Sequence, residues 1–134
     1  MSIINNYTLT FLFCLLLLLN SCKKEPGIGG HSSITGHVTV RHYNANFNQF
    51  LGTFDGADEY VYIVYGNHSG YDARLKTDYK GDFEFNYLYP GEYTIYTYSL
   101  DSTLQSLNGN IAVIKSVTLG KKDQLSLPDF TIFQ

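Results

Sequence analysis

Four histidines, twelve acidic side chains and two cysteines are the residues from which this chain of 134 could build a catalytic or metal site. Zinc needs converging ligands, and short spacings such as HxxxH, HExxH or CxxC bring them together. His31, His37, His42 and His68 show no such spacing, and His37 and His42 differ in strand parity, so they point to opposite faces. No metal and no other cofactor is expected. Asp78 and Asp82 bracket one turn region, and Glu84 and Glu92 flank another. The first pair lacks the alternate acidic ligands and closing bidentate Glu of a calcium loop. No Gly-x-Ser-x-Gly elbow occurs. Cys14 and Cys22 both precede the body of the chain, which excludes a Cys–His dyad there. The expectation is a protein that is not an enzyme.

Tyrosine is the type in excess, with 12 Tyr and no Trp. A phenol joins a broad apolar ring to a polar tip and loses few rotamers on ordering, which suits it to surfaces that bind sugars or proteins. Tyr60 and Tyr62 lie on one strand-like run, Tyr96 and Tyr98 on another. Their parity is opposite to that of the core positions Val61, Ile63, Tyr93 and Ile95. If the two runs share a sheet, the four rings form an exposed patch. A second candidate surface is the polar stretch Asn44 to Asp58, which carries Phe47, Phe50 and Phe54. Fifteen residues make a long connection for a compact domain, and such loops are functional or disordered. It reads as a flap over one edge of the fold, with a binding loop as the alternative.

The elements that must hold these residues alternate with period two. Runs at 33–43, 59–66, 73–77, 83–87, 93–100, 110–119 and 124–133 are separated by Gly, Pro, Asn and Asp, and no segment has helical periodicity. That predicts an all-β domain over 33–134, a single seven-stranded antiparallel β-sandwich. Pro128 lies inside the last run and marks it as an edge strand or a bulge. With a net charge of −3 and no basic run longer than two residues, nothing matches the clustered basic face that nucleic acid requires.

The amino-terminal 22 residues contain no charged side chain, and residues 9–19 are almost wholly apolar. As a helix, eleven residues rise about 16 Å, short of a bilayer core of about 30 Å, so the stretch suits a signal peptide rather than a membrane span. Leu19-Asn20-Ser21-Cys22 resembles the lipobox of bacterial lipoproteins, in which the Cys becomes the acylated first residue. The resemblance implies a lipoprotein signal peptide over 1–21, lipidation at Cys22 and a membrane partner through the lipid anchor. The polar, Gly- and Pro-containing stretch 22–32 reads as a flexible tether. No Asp follows Cys22, which favours an outer-membrane position in the bacterial cell envelope.

Residues 77–95 run T-D-x-x-G-x-F-x-F-x-x-L-x-P-G-x-Y-x-I. This resembles the carboxypeptidase regulatory-like domain, a transthyretin-like or prealbumin-type β-sandwich. Ile34 to Val38 and Val61 to Gly66 are similar to its first two strands. Gly81 and Gly91 supply the turns, and Phe83, Phe85, Leu88, Tyr93 and Ile95 form one core face. The resemblance, closest to small Bacteroidota-type lipoproteins carrying one such domain, implies a non-enzymatic interaction or accessory module of the outer envelope. Its partner would be an envelope protein or a glycan. The alternative is a carbohydrate-binding module that uses the exposed tyrosines or the 44–58 stretch.

Overall fold

Alternating apolar and polar residues give nine β-strands within residues 24–134, the part of the chain that a computed structural model describes. The expected signal peptide and Cys22 lie outside the described residues. The strands are β1 (Ile28–Tyr43), β2 (Phe50–Asp55), β3 (Tyr60–Tyr65), β4 (Ala73–Lys76), β5 (Asp82–Leu88), β6 (Gly91–Leu100), β7 (Asn110–Leu119), β8 (Gln124–Ser126) and β9 (Phe130–Phe133). They form two sheets. In the first, β1 is central: Ile34 is paired with Phe85 of β5 on one side and Leu125 of β8 on the other. Further along β1, Val40 is paired with Phe54 of β2 and Ile132 of β9. The second sheet has the order β4-β3-β6-β7, antiparallel throughout.

The sheets close over one core. Ile34, Val38, Val40, Phe83, Phe85, Leu88, Phe130 and Ile132 enter it from the first sheet, and Val61, Ile63, Tyr93, Ile95 and Leu119 from the second. These are alternate positions along their strands, as a half-buried pleat demands, except Leu88, which turns inward after Tyr87 at φ +61°. Burying one such aliphatic side chain contributes about 1.5–3 kcal/mol. Tyr93 is the one phenol buried in the core, and its hydroxyl finds partners there. It accepts from the Gly27 amide at 2.9 Å and donates to the Tyr89 carbonyl at 2.7 Å, which pins the entering chain against β6. The turn into β5 is built by Asp78, whose carboxylate accepts the Lys80 and Asp82 amides at 2.8 and 2.9 Å. Gly81 completes it at φ +80°, where an added Cβ would stand 2.5 Å from the Val38 carbonyl oxygen.

The sandwich is all-β as expected, but three boundaries differ. β1 begins at Ile28, so residues 28–32, read as part of a tether, are strand. Two glycines and a serine in that stretch erase the alternation that would have signalled it. The stretch 44–58 is largely a hairpin, since Phe50–Asp55 pair with Thr39–Tyr43. β2 shows no alternation because both its faces are largely open to solvent. Pro128 divides the last run into β8 and β9, and both lie parallel to β1, so the first sheet is mixed rather than antiparallel.

Candidate functional site: a tyrosine face

β3 and β6 pair with Tyr62 opposite Tyr96. Strand alternation then sends Val61, Ile63, Tyr93 and Ile95 into the core and leaves Tyr60, Tyr62, Tyr96 and Tyr98 on the outer face of the second sheet. The rings pack against one another. Tyr62 and Tyr96 stack with centroids 4.9 Å apart and 10° between their planes. Tyr98 meets both edge-on, each at 5.7 Å, and Tyr60 lies tilted 6.3 Å from Tyr62. A fifth ring, Tyr71 from the β3–β4 connection, meets Tyr62 edge-on at 5.1 Å. Tyr62 thus touches every other member. Pairs of this geometry contribute about 0.5–1.5 kcal/mol each beyond area burial, so the cluster holds its own shape.

Within it the stacked pair is half-buried, while Tyr60, Tyr71 and Tyr98 are 41%, 50% and 49% exposed and form a rim. Burial among its neighbours, then the adjacent phenols of Tyr98, Tyr62 and Tyr71, hold the Tyr96 hydroxyl above the ordinary phenol range. The face continues onto β7, where Ile114 lies opposite Tyr96 and Ala112 opposite Tyr98. Next to these, the Thr94 and Ser116 hydroxyls pair at 3.3 Å.

Cations frame the other side. Arg74 lies opposite Tyr62 and Lys76 opposite Tyr60 across the β3–β4 pair. The Arg74 guanidinium carbon stands 4.6 Å and the Lys76 ammonium 4.9 Å from the Tyr60 ring centroid, at cation–π distance. Lys76 also donates to both carboxylate oxygens of Asp58, at 2.8 and 2.7 Å, and this bond, ahead of any other influence, raises its pKa.

The connection that follows β6 is held open by one side chain. Asp101 accepts the Thr103 hydroxyl and amide at 2.6 and 2.8 Å, the Gln105 amide at 2.8 Å and the Ser106 amide at 2.6 Å. These bonds, the Thr103 hydroxyl foremost, hold its carboxyl down to about 2. They also position Leu104 at φ +56°, a backbone region that Leu rarely adopts.

Phe47 and Phe50 do not join the tyrosines: Phe50 is on β2 of the first sheet, and Phe47 is in the turn that precedes it. Tyr43 is the hub there, with Phe50, Phe133 and Phe47 at 5.4, 5.7 and 6.0 Å. Asn44 shapes the hairpin turn by accepting the Asn48 and Gln49 amides. Phe47 turns back at φ +52° to meet Phe133 edge-on at 6.2 Å. Phe50 stays half exposed beneath Arg41, whose guanidinium carbon lies 5.4 Å from its ring.

Two of the four histidines pair with acids: His37 meets Asp82 at 2.9 Å, and His68 meets Asp72 at 2.7 Å. Among the described residues, no group of three or more His, Cys, Asp or Glu side chains could hold a metal ion, and no helix is long and apolar enough to cross a membrane.

No protein-family model matches the chain, and no curated protein sequence matches it. Among solved structures the chain is similar to a candidate carbohydrate-binding protein of Pseudomonas aeruginosa, at 17% identity, covering 85% of this chain and 93% of that one, with a TM-score of 0.49. At that distance the likeness bears on neither ligand nor site.

Two members of the tyrosine face were not legible by parity. Arg74 faces the patch only because β4 pairs with β3 in the register that sets it opposite Tyr62. Tyr71 lies in a connection, where alternation has no meaning, and only its aromatic character marked it.

Proposed function

We propose that this chain is a non-enzymatic binding module that takes carbohydrate on its tyrosine face. The observation that carries the reading is the five-ring cluster itself. Its members touch one another at 4.9–6.3 Å, and three of them remain 41–50% exposed on an open sheet surface. A sugar ring offers C–H groups to an aromatic surface and hydroxyls to phenolic tips, and a Tyr cluster supplies both at little entropic cost. A pre-packed cluster loses less freedom on binding than isolated side chains would.

The remaining expectations form part of the same proposal. The lipobox-like Leu19-Asn20-Ser21-Cys22 supports anchoring at Cys22, and the 77–95 run supports a carboxypeptidase regulatory-like domain. The chain enters the sandwich where Gly27 meets Tyr93, which is paired with Tyr65, while Tyr60 and Tyr98 lie five residues further along their strands. At about 3.4 Å per residue, that lifts the rim about 17 Å from the entry point.

The test is a tyrosine-fluorescence titration of the detergent-solubilised full chain with a panel of neutral and acidic oligosaccharides. Saturable quenching that Tyr62→Ala abolishes is the expected result. An unresponsive signal across the panel, with a captured envelope protein in its place, would make the module an accessory to that protein.

A further inference from the structure

Arg74 is the unusual member of the tyrosine face. Its guanidinium carries five N–H donors in a planar fork suited to a carboxylate. Among the described residues it forms no ion pair, and its side chain donates no hydrogen bond. The other charges near the patch have partners: Glu59 accepts the Gln134 side-chain amide. Lys76 holds Asp58, and Asp72 accepts the Tyr65 amide at 2.7 Å and pairs with His68. The Tyr60 ring lies 4.6 Å from the guanidinium carbon, a weak cation–π contact at an exposed position.

We infer that the tyrosine face takes acidic saccharides, with Arg74 meeting the carboxylate of a uronic acid while the neighbouring rim tyrosines meet the sugar ring. Resting on the carbohydrate reading above, this deepens it by supplying a charge rule. A planar fork already set beside aromatic rings can grip a carboxylate bidentately with little further ordering. Lys76 is less suited to the task, because its ammonium is a point charge without a planar fork and Asp58, bound at 2.8 and 2.7 Å, offsets it. The attraction acts at a solvent-exposed surface and should weaken with added salt.

The experiment compares tetragalacturonate, its methyl ester and neutral cellotetraose, titrated into the full chain and its Arg74→Gln, Arg74→Lys and Tyr62→Ala variants. Tetragalacturonate is expected to bind roughly tenfold or more tightly than the ester, a gap that Arg74→Gln erases and Arg74→Lys restores in part. Tyr62→Ala should weaken all three ligands. Equal affinity for acid and ester, with Arg74→Gln silent, overturns the charge rule and leaves the carbohydrate reading standing. Binding of the acid that Tyr62→Ala leaves intact overturns both, since the charge alone would then suffice. Failure of all three saccharides to bind the parent chain also overturns both. Arg74 is exposed on an edge strand, so near-identical unfolding midpoints for its variants would establish that the differences lie in binding.

Discussion

Tyr43 and Tyr62 each sit at the centre of a cluster of rings, one on each sheet of the sandwich. Around Tyr43 the partners are phenylalanines from a hairpin and from the last strand, and Phe133 joins that hairpin to a segment distant in sequence. Phe133 packs on Tyr43 and Phe47, and the Gln134 carbonyl accepts the Tyr43 amide at 2.8 Å. Around Tyr62 the four partners are tyrosines, three of them on the same two paired strands that backbone register already holds together. Rings that tie separate segments together are committed to the fold. Tyr43, Phe50 and Phe133 also stand on paired strands, so what sets the Tyr62 cluster apart is its phenolic tips, which offer a polar ligand what phenyl rings do not.

The sharpest way to break this contrast is Phe133→Ala. It removes a ring shared by Tyr43 and Phe47, and the loss should destabilise the domain by about 2–3 kcal/mol in a denaturant titration, short of the 3–5 typical of a fully buried Phe. Saccharide binding by the folded fraction should not change. Tyr62→Ala should cost somewhat less in stability, about 2 kcal/mol, the low end for its four ring contacts, because they lie on a wet face and their loss opens no core cavity. A larger loss than that of Phe133→Ala would reverse the comparison and make the tyrosine face the structural one.

The Asp101 connection sharpens the comparison through pH. Its carboxyl has a folded pKa of about 2, depressed below the ordinary value of 3.8 by the Thr103 hydroxyl and the loop amides. A depressed folded pKa means that the stabilisation is complete above the ordinary value and is lost as pH falls from there through about 2. Asp101→Asn should therefore lower the melting temperature at neutral pH and flatten the part of the acid-unfolding curve below pH 3.8. The smallest effect belongs to Phe50→Ser, the half-exposed member of the Tyr43 cluster, whose one ring contact at 5.4 Å should be worth about 0.5–1 kcal/mol. A shift beyond 1 kcal/mol would place Phe50 among the committed rings.

What the sequence disclosed follows from where alternation operates. Val61, Ile63, Tyr93 and Ile95 are buried, as parity predicts, because their strands have one dry and one wet face. The same parity placed Tyr60, Tyr62, Tyr96 and Tyr98 together, conditional on β3 and β6 being neighbours. Where both faces of a strand are open, as in β2, or glycine interrupts it, as at the start of β1, no pattern survives to be read. Parallel pairing of β8 and β9 with β1 is a long-range event that Pro128 hinted at without specifying. Arg74 and Tyr71 reached the face through register and a loop path, neither of which composition or periodicity encodes.

Most direct of all is a side-by-side affinity measurement on Tyr98→Ala and Phe50→Ala, two half-exposed rings on opposite sheets, each titrated as the full chain with the tightest oligosaccharide of the panel. Tyr98→Ala is expected to weaken binding roughly tenfold or more, and Phe50→Ala to leave it within about twofold. Equal losses, or a loss confined to Phe50→Ala, would contradict the assignment of ligand binding to the tyrosine face.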